Sequence, residues 1–174
     1  MNKKTKRLTA AAIATAIIFI VTRIFVPIPG GHGYVHLGDT FIYLFACLLP
    51  MPYGIFAGAI GASLSDLTSA YAVYTGPTFI IKAGMAAMFT SRKNVFSIRN
   101  IAAVIPATII LTGGYFLTET ILYDSTVAIG NILYSFLQAG ASAALFIVLA
   151  IILSKVKAYT SLKEGLLYDQ TDYS

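Results

Sequence analysis

Charged residues are scarce in this chain of 174 residues: they make up 11% of it, whereas hydrophobic residues make up 57%. A soluble globular domain has a charged fraction of about 25%. The composition therefore excludes an ordinary soluble protein and indicates an integral membrane protein. Because a spanning helix needs about 20 residues, the chain has room for at most about six spans and none for a soluble catalytic domain.

Cysteine is nearly absent as well, since Cys47 is the single one and lies in an apolar run. An internal disulfide and a cysteine-based metal site are thereby excluded. No glycine-rich loop ends in Lys-Ser or Lys-Thr, so the sequence holds no ATP-binding loop. His32 and His36 are four residues apart, but Gly33 argues against a helix, so we predict a surface loop and no metal. With no nucleophile and base pair visible, we predict neither a cofactor nor an enzyme.

Six apolar stretches are separated by segments rich in proline, glycine or basic residues. The first is longer than a signal-peptide core and has no small-residue cleavage site before Pro27, so we predict a span. The glycine- and tyrosine-rich loop at 27–34 is predicted to be a mobile lid over a pocket that opens outward. The predicted fold is all-α, a single domain of six transmembrane helices. The expected spans are 8–26, 39–49, 53–70, 77–90, 101–123 and 127–153, and a polar cytoplasmic tail follows at 156–174.

The positions of lysine and arginine predict the orientation. Ten of the twelve lie at the amino end, between the fourth and fifth spans, or in the carboxyl tail. Six spans place these three regions on one side of the membrane. Both termini are therefore predicted to be cytoplasmic.

Five charged side chains interrupt the spans, and counting at about 1.5 Å per residue places all of them within about 10 Å of the outer surface. They are Arg23, Asp39, Asp66, Lys82 and Glu119. Ionisable groups at membrane depth are costly and usually face a polar interior, so their convergence predicts a site for a polar solute. Asp39 stands at a helix start and is interpreted as an N-cap, outside the ligand set.

Polar residues repeat at helical spacing along the last two spans. Thr108, Thr112, Tyr115 and Glu119 share one face of the fifth span, and Asn131, Ser135, Gln138 and Ser142 share one face of the sixth. We predict that the solute binds through Lys82, Glu119, Asn131 and Gln138. Asp66 would orient Lys82. Tyr34 and Tyr74 would cover one face of the ligand ring, and Arg23 is the last of the predicted binding residues.

Structural interpretations without a role in ligand binding remain open for several of these residues. Asp66 and Lys82 could form only a structural ion pair. Arg23 could extend along lipid to the outer interface. Tyrosines such as Tyr34 and Tyr74 are also ordinary at a membrane interface.

Small residues four apart indicate two close helix contacts. In the third span Gly54, Gly58 and Ala62 form such a face, and we predict internal packing there. In the first span the small residues near the cytoplasmic end could instead meet an external partner helix. They are Ala10, Ala12, Ala14 and Ala16.

Three segments together resemble the substrate-binding S components of energy-coupling factor (ECF) transporters, in the branch of riboflavin-type and hydroxymethylpyrimidine-type proteins. They are HLGD at 36–39, GAIGASLSD at 58–66 and TFIIKAG at 78–84. The resemblance covers nearly the whole chain. It implies a vitamin-binding subunit that docks through Ala10, Ala14 and neighbouring small residues onto a transmembrane coupling protein. Two ATPases would then drive it to topple in the bilayer and release its ligand, and the expected location is the cell membrane of a prokaryote.

The expected ligand is a small, flat, hydroxylated heterocycle. A pyridoxine-like or hydroxymethylpyrimidine-like compound is the first expectation, and a queuosine precursor or riboflavin follows. Polar groups of both signs favour a neutral or zwitterionic ligand. Two other functions stay open: a stand-alone proton-coupled transporter of small solutes, and a purely structural membrane subunit.

Overall fold

The computed structural model describes residues 2–28 and 33–167, and these form eight α-helices and one short strand pair. The helices are α1 (Lys3–Arg23), α2 (Gly38–Leu48), α3 (Met51–Leu67), α4 (Thr75–Ala87), α5 (Ile98–Ala102), α6 (Val104–Leu122), α7 (Ser125–Ser154) and α8 (Lys157–Leu167). A 3-10 turn at Ala72–Tyr74 leads into α4. The expectation of an all-helical membrane protein is therefore confirmed in outline.

Three segments are both long enough and apolar enough to cross a bilayer. They are Lys3–Arg23, Ile98–Leu122 and Ser125–Ser154, while Gly38–Leu48 is apolar but shorter. Each predicted span nevertheless contains a helix, and the fifth contains the consecutive helices α5 and α6. The number of crossings stays a prediction.

The loop between α1 and α2 contains an antiparallel hairpin that we did not predict. Strand β1 (Phe25–Pro27) pairs with β2 (Tyr34–His36), and Val26 stands opposite Val35. Gly33 has φ +138°, a conformation that L side chains rarely adopt, and its carbonyl accepts a hydrogen bond of 3.1 Å from the Ile28 amide. The two strands flank the predicted lid at 27–34, of which residues 29–32 lie outside the described residues, and the mobility of the lid stays a prediction.

Helix α3 packs against α1 and α2 through glycine. A Cβ at Gly61 would lie 2.8 Å from the Thr15 carbonyl oxygen, and one at Gly54 would lie 3.0 Å from Cα of Ala46. Only glycine permits this approach, because the backbones themselves are in contact. Internal packing was predicted for the third span, and that prediction is confirmed.

The largest buried side chains form an aromatic core below the hairpin. Tyr43 stacks on Phe89 with ring centroids 4.6 Å apart, and Phe146 meets both rings edge-on. Cys47 is fully buried in the same core. This packing fixes α2, α4 and α7 relative to one another.

The carboxyl segment is more ordered than the predicted polar tail, because residues 157–167 form helix α8. The Arg7 guanidinium donates hydrogen bonds to the carbonyls of Leu166 at 2.7 Å and Leu167 at 3.2 Å. The Lys163 ammonium donates to the Lys93 carbonyl, and burial lowers the pKa of Lys163. Helix α8 therefore packs against the start of α1, and the rest of the predicted tail, 168–174, lies outside the described residues.

Candidate functional site

A cavity lies beneath the hairpin, between it and helices α3, α4, α6 and α7. The empty space between its walls is about 480 Å³, including the part that is open to solvent. Its wall consists of Ile28, Gly33, Tyr34, Val35, His36, Asp66, Tyr74, Thr78, Leu111, Tyr115, Glu119, Asn131, Tyr134, Ser135 and Gln138. The cavity itself measures about 40 Å³, whereas ligand sites for small molecules typically measure about 300–1,000 Å³, so a heterocycle fits only when the wall side chains or the hairpin move outward.

A buried ion pair forms the layer behind this wall. The Lys82 ammonium lies 2.6 Å from the Asp39 carboxylate, and both side chains are fully buried. Gln138 donates from Nε2 to the other Asp39 oxygen at 2.8 Å, and its Oε1 accepts from the His36 backbone amide at 3.2 Å. Both ends of the Gln138 amide are therefore occupied, and this side chain links the hairpin to the ion pair.

The ion pair overturns two sequence predictions. Asp39 makes no capping hydrogen bond, because Leu37 occupies the N-cap of α2 and has no side-chain bond to the backbone. Lys82 pairs with Asp39 rather than with Asp66. Lys82 also lies outside the cavity wall, with its ammonium 5.4 Å from the Tyr115 ring centroid.

Asp66 has a different partner, which comes from the hairpin. The Tyr34 hydroxyl donates a hydrogen bond to Asp66 Oδ1. Burial and the neighbouring Asp66 charge raise the pKa of Tyr34, so its phenol remains a donor. On the same wall the hydroxyls of Thr78 and Tyr115 lie 3.0 Å apart. These contacts close one side of the cavity.

The opposite wall is built around Glu119, which α6 places near the end of its polar face. Its carboxylate is 5% exposed and lies beside Asn131 of α7 and Tyr74. A Cβ at Gly33 would lie 3.8 Å from Glu119 Oε1, so the hairpin reaches this wall as well. Burial is the main cause that raises the pKa of Tyr74, and the Glu119 charge raises it further. Tyr74 therefore also stays a donor.

Aromatic rings make up the outer part of the hairpin. The Tyr34 ring lies 4.5 Å from that of Phe25 and 4.6 Å from that of Tyr71, measured between centroids. Aromatic pairs at such distances stabilise a structure beyond their buried area. They hold Tyr34 over Asp66.

His36 is a cavity residue that our sequence reasoning missed. It was assigned to a surface loop, but it is 8% exposed and lines the cavity. Its Nδ1 accepts a hydrogen bond of 2.9 Å from the Gly38 amide. Tyr34 and His36 are two residues apart and share a face of β2, but three residues are too few for this alternation to be recognised in the sequence. His32 lies outside the described residues.

Most of the predicted site residues converge on this cavity, and two do not. Tyr34, Asp66, Tyr74, Glu119, Asn131 and Gln138 line it. Lys82 lies behind the wall, as described above. Arg23 is exposed and donates to the carbonyls of Thr68 at 3.0 Å and Ser65 at 3.4 Å, at the end of α3. Its place outside the cavity corrects the prediction that it reaches the solute.

The alanines of α1 divide between two faces. Ala14 is fully buried and belongs to a cluster with Leu166 of α8, against which Ala10 also packs. Ala12 and Ala16 are exposed. Ala14 and the partly buried Ala10 therefore make internal contacts with α8, and the docking face on α1 stays a prediction.

Within residues 2–28 and 33–167, no group of three or more His, Cys, Asp or Glu side chains is placed to hold a metal ion. Buried polar side chains around a cavity between apolar helices are typical of a site for a small polar solute. The comparison with known families specifies the class further. The profile described as "ECF-type riboflavin transporter, S component" matches residues 2–159, and the chain belongs to this family.

Two curated relatives are similar to this chain over about two thirds of its length or more. The chain is 30% identical over 141 residues to the "Thiamine precursor transporter HmpT" of Lactococcus lactis subsp. cremoris (strain MG1363). The aligned residues cover 79% of this chain and 81% of the relative. It is also 28% identical over 116 residues to an "Uncharacterized protein in gap 3'region" of Pyrococcus woesei. This second alignment covers 66% of this chain and 78% of that protein. The chain is thus a membrane-bound, substrate-binding component of a vitamin or precursor uptake system, associates with ECF transporter subunits, and is not an enzyme.

Proposed function

We propose that this S component captures a hydroxymethylpyrimidine-like compound, with the similar pyridoxine as the next choice. The observation that carries the proposal is the cavity beneath the hairpin, which is walled by buried polar groups such as Glu119 and Asn131. The relative from L. lactis is described as a thiamine precursor transporter, and hydroxymethylpyrimidine is such a precursor. A queuosine precursor and riboflavin are the next candidate ligands. Riboflavin is included because the family description mentions it.

The proposed topology has six crossings in the plasma membrane of a prokaryote, with both termini in the cytoplasm. The distribution of lysine and arginine supports it. In that orientation the hairpin and the ends of α3 and α6 lie on the outer side. The cavity would then receive its ligand from outside the cell.

The proposed partners are a transmembrane coupling protein and two ATPases, which drive the chain to topple and release its ligand inward. The sequence contains no ATP-binding loop, so ATP-driven release requires other subunits. Ala12 and Ala16 are the exposed small residues of α1, so this face is the one available for close contact with a partner helix.

Two other functions predict different outcomes. A stand-alone proton-coupled transporter would move its solute in liposomes without ATPases. A structural subunit would bind no ligand, and substitutions in the cavity would change stability alone. The buried Lys82–Asp39 pair is consistent with a structural role for these two residues, but the separate cavity wall favours a binding function.

Mass spectrometry of the small molecules that copurify with the detergent-solubilised protein tests the proposal. We expect one heterocycle of the hydroxymethylpyrimidine or pyridoxine class in repeated preparations. Uptake of that compound by cells that also contain the coupling protein and ATPases should fall with Glu119→Gln and with Asn131→Ala. Asp124→Asn is the control, because Asp124 caps α7 outside the cavity and asparagine can also cap a helix. Preparations without any ligand, together with unchanged uptake by both cavity variants, would favour the structural alternative.

A further inference from the structure

The connection between α4 and α5 is held in place by one buried asparagine. Asn100 is fully buried, and its side-chain oxygen accepts a hydrogen bond of 3.0 Å from the Thr90 amide. Its Nδ2 donates to the carbonyls of Thr90 and Asn94, each at 3.1 Å. From α8, the Lys163 ammonium donates to the Lys93 carbonyl. The connection is therefore a built part of the fold, and its outer surface has a defined shape.

Basic side chains project from this connection. Arg92 and Lys93 are exposed, and their hydrogen bonds with the described residues are made by backbone atoms. The Arg92 amide donates to Thr90 Oγ1 at 3.3 Å, and the Lys93 carbonyl accepts from α8. Arg99 is exposed as well and donates from Nη1 to the Met88 carbonyl at 2.6 Å, which leaves its other guanidinium N–H groups available. These three positive charges attract an anion.

Apolar side chains stand next to the charges, on a surface that continues along α6. Phe96 is 42% exposed and Ile98 is 89% exposed. In the apolar segment Ile98–Leu122, helical spacing places Ile98, Ile105 and Ile109 on one face. Ile105 and Ile109 are about two-thirds exposed, as expected of side chains that face lipid. A surface that is apolar on one side and basic on the other matches the boundary between acyl chains and headgroups.

We infer that this surface, which we term the basic corner, binds the headgroup of an anionic phospholipid. It consists of Arg92, Lys93, Phe96, Ile98 and Arg99. The basic side chains contact the phosphate, while the two apolar side chains lie among the acyl chains. Anionic leaflets attract basic residues near their surface, and basic sites beside transmembrane helices bind lipid headgroups. An acidic protein surface would not explain why the corner continues into the lipid-facing side of α6.

This inference goes beyond the proposed function, because the basic corner is separate from the cavity beneath the hairpin. In the proposed orientation the lipid belongs to the cytoplasmic leaflet. Its binding would fix the depth of α4 and α6 in the membrane.

Thermal unfolding of the purified full chain in detergent tests the inference. Dioleoylphosphatidylglycerol and dioleoylphosphatidylcholine are titrated separately, since they share their acyl chains and differ in headgroup charge. We expect phosphatidylglycerol to raise the unfolding midpoint at a lower concentration than phosphatidylcholine, because a ligand of the folded state stabilises it. Inorganic phosphate at the same concentrations should leave the midpoint unchanged.

Two double variants show whether the basic corner is the site. Arg92→Gln/Lys93→Gln should need about 10- to 30-fold more phosphatidylglycerol for the same rise, because each basic residue near an anionic surface contributes about five-fold in affinity. Lys4→Gln/Lys6→Gln is the matched control, since it removes two exposed positive charges from the start of α1. It should respond to phosphatidylglycerol as the wild type does.

Four outcomes would overturn the inference. The first is an equal response of the wild type to the two lipids, and the second is an equal loss in the two double variants, which would indicate a general effect of charge. The third is a rise with inorganic phosphate that matches the rise with phosphatidylglycerol. In the fourth, Arg92→Gln/Lys93→Gln keeps its response to the lipid but no longer associates with the coupling protein, so the partner is a protein. All four leave ligand capture in the cavity untouched.

Discussion

At the residue scale, Lys82 and Asp39 form a salt bridge that is entirely removed from solvent. Both side chains are fully buried, and Gln138 supplies a further hydrogen bond to the carboxylate. Removing one partner of a buried pair leaves an uncompensated charge and costs about 3–5 kcal/mol. The pair supports the cavity without facing it.

We predict that Lys82→Met and Asp39→Asn each lower the midpoint of thermal unfolding in detergent. The double variant Lys82→Met/Asp39→Asn should recover most of the loss, because neither charge remains and the introduced asparagine can still accept from Gln138. Thermal unfolding of the four proteins measures the coupling. A double variant whose loss equals the sum of the single losses would contradict the described ion pair.

His36 makes the stability depend on pH. Burial lowers the pKa of His36 from 6.5 to about 4, although the nearby Asp39 charge acts in the opposite direction. As the pH falls from 6.5 towards 4, the unfolded chain binds a proton that the folded protein does not bind. The free energy of unfolding therefore decreases in this range, by roughly 3 kcal/mol at most, since one pH unit corresponds to about 1.4 kcal/mol.

The measurement compares wild type with His36→Asn, whose side-chain oxygen can accept the hydrogen bond from the Gly38 amide. We expect the unfolding midpoint of the wild type to fall more steeply between pH 6.5 and 4.5 than that of the variant. Parallel curves would show that His36 does not titrate differently in the two states.

Four of the polar residues that line the cavity could be placed on a common face from the spacing within one helix alone. The helical spacing of Tyr115 and Glu119, and of Asn131 and Gln138, places each pair on one face, and all four line the cavity. The partner of Lys82 could not be predicted in this way. Spacing within a helix fixes a direction along it, but the choice between Asp39 and Asp66 depends on which helices are neighbours.

At the element scale, the apolar stretches and the proline and glycine breaks located the helices, because both signals are local. The hairpin was missed because two strands of three residues, Phe25–Pro27 and Tyr34–His36, are too short to show an alternating pattern. Helix α8 was missed because its polar sequence indicated a solvated tail. Its contacts to Arg7 and Lys93 are tertiary and leave no local signal.

The close contact of α1 and α3 gives a prediction for glycine. Gly61→Ala should lower stability by about 1–3 kcal/mol, because the new Cβ would lie 2.8 Å from the Thr15 carbonyl and 3.0 Å from the Ile18 side chain. Gly140→Ala is the matched control, since a Cβ at this helical position in α7 meets nothing within 4 Å. The control should be neutral or stabilising by about 0.5–1 kcal/mol. Thermal unfolding in detergent compares the two, and equal effects would argue against the contact.

At the scale of the whole molecule, the exposed surface of the helices is suited to lipid rather than to water. Apolar side chains such as Ile80, Ile105 and Ile121 are 67–81% exposed, and lipid tails are their natural surroundings. Helix association in such a solvent relies on close packing and on polar contacts between helices. The glycine contacts of α3 and the ion pair are contacts of these two kinds.

Orientation in the membrane is the remaining property that the sequence predicts, and cysteine labelling can test it. Cys47 is buried and can be replaced by alanine, after which Arg92→Cys and Ser125→Cys each introduce one exposed thiol. Arg92 lies between α4 and α5, and Ser125 begins α7. With six crossings, a membrane-impermeant maleimide added to intact cells should label position 125 and leave position 92 unlabelled until the cells are opened. Labelling of position 92 in intact cells would invert the topology, and the cavity would then open to the cytoplasm, which contradicts capture of the ligand from outside the cell.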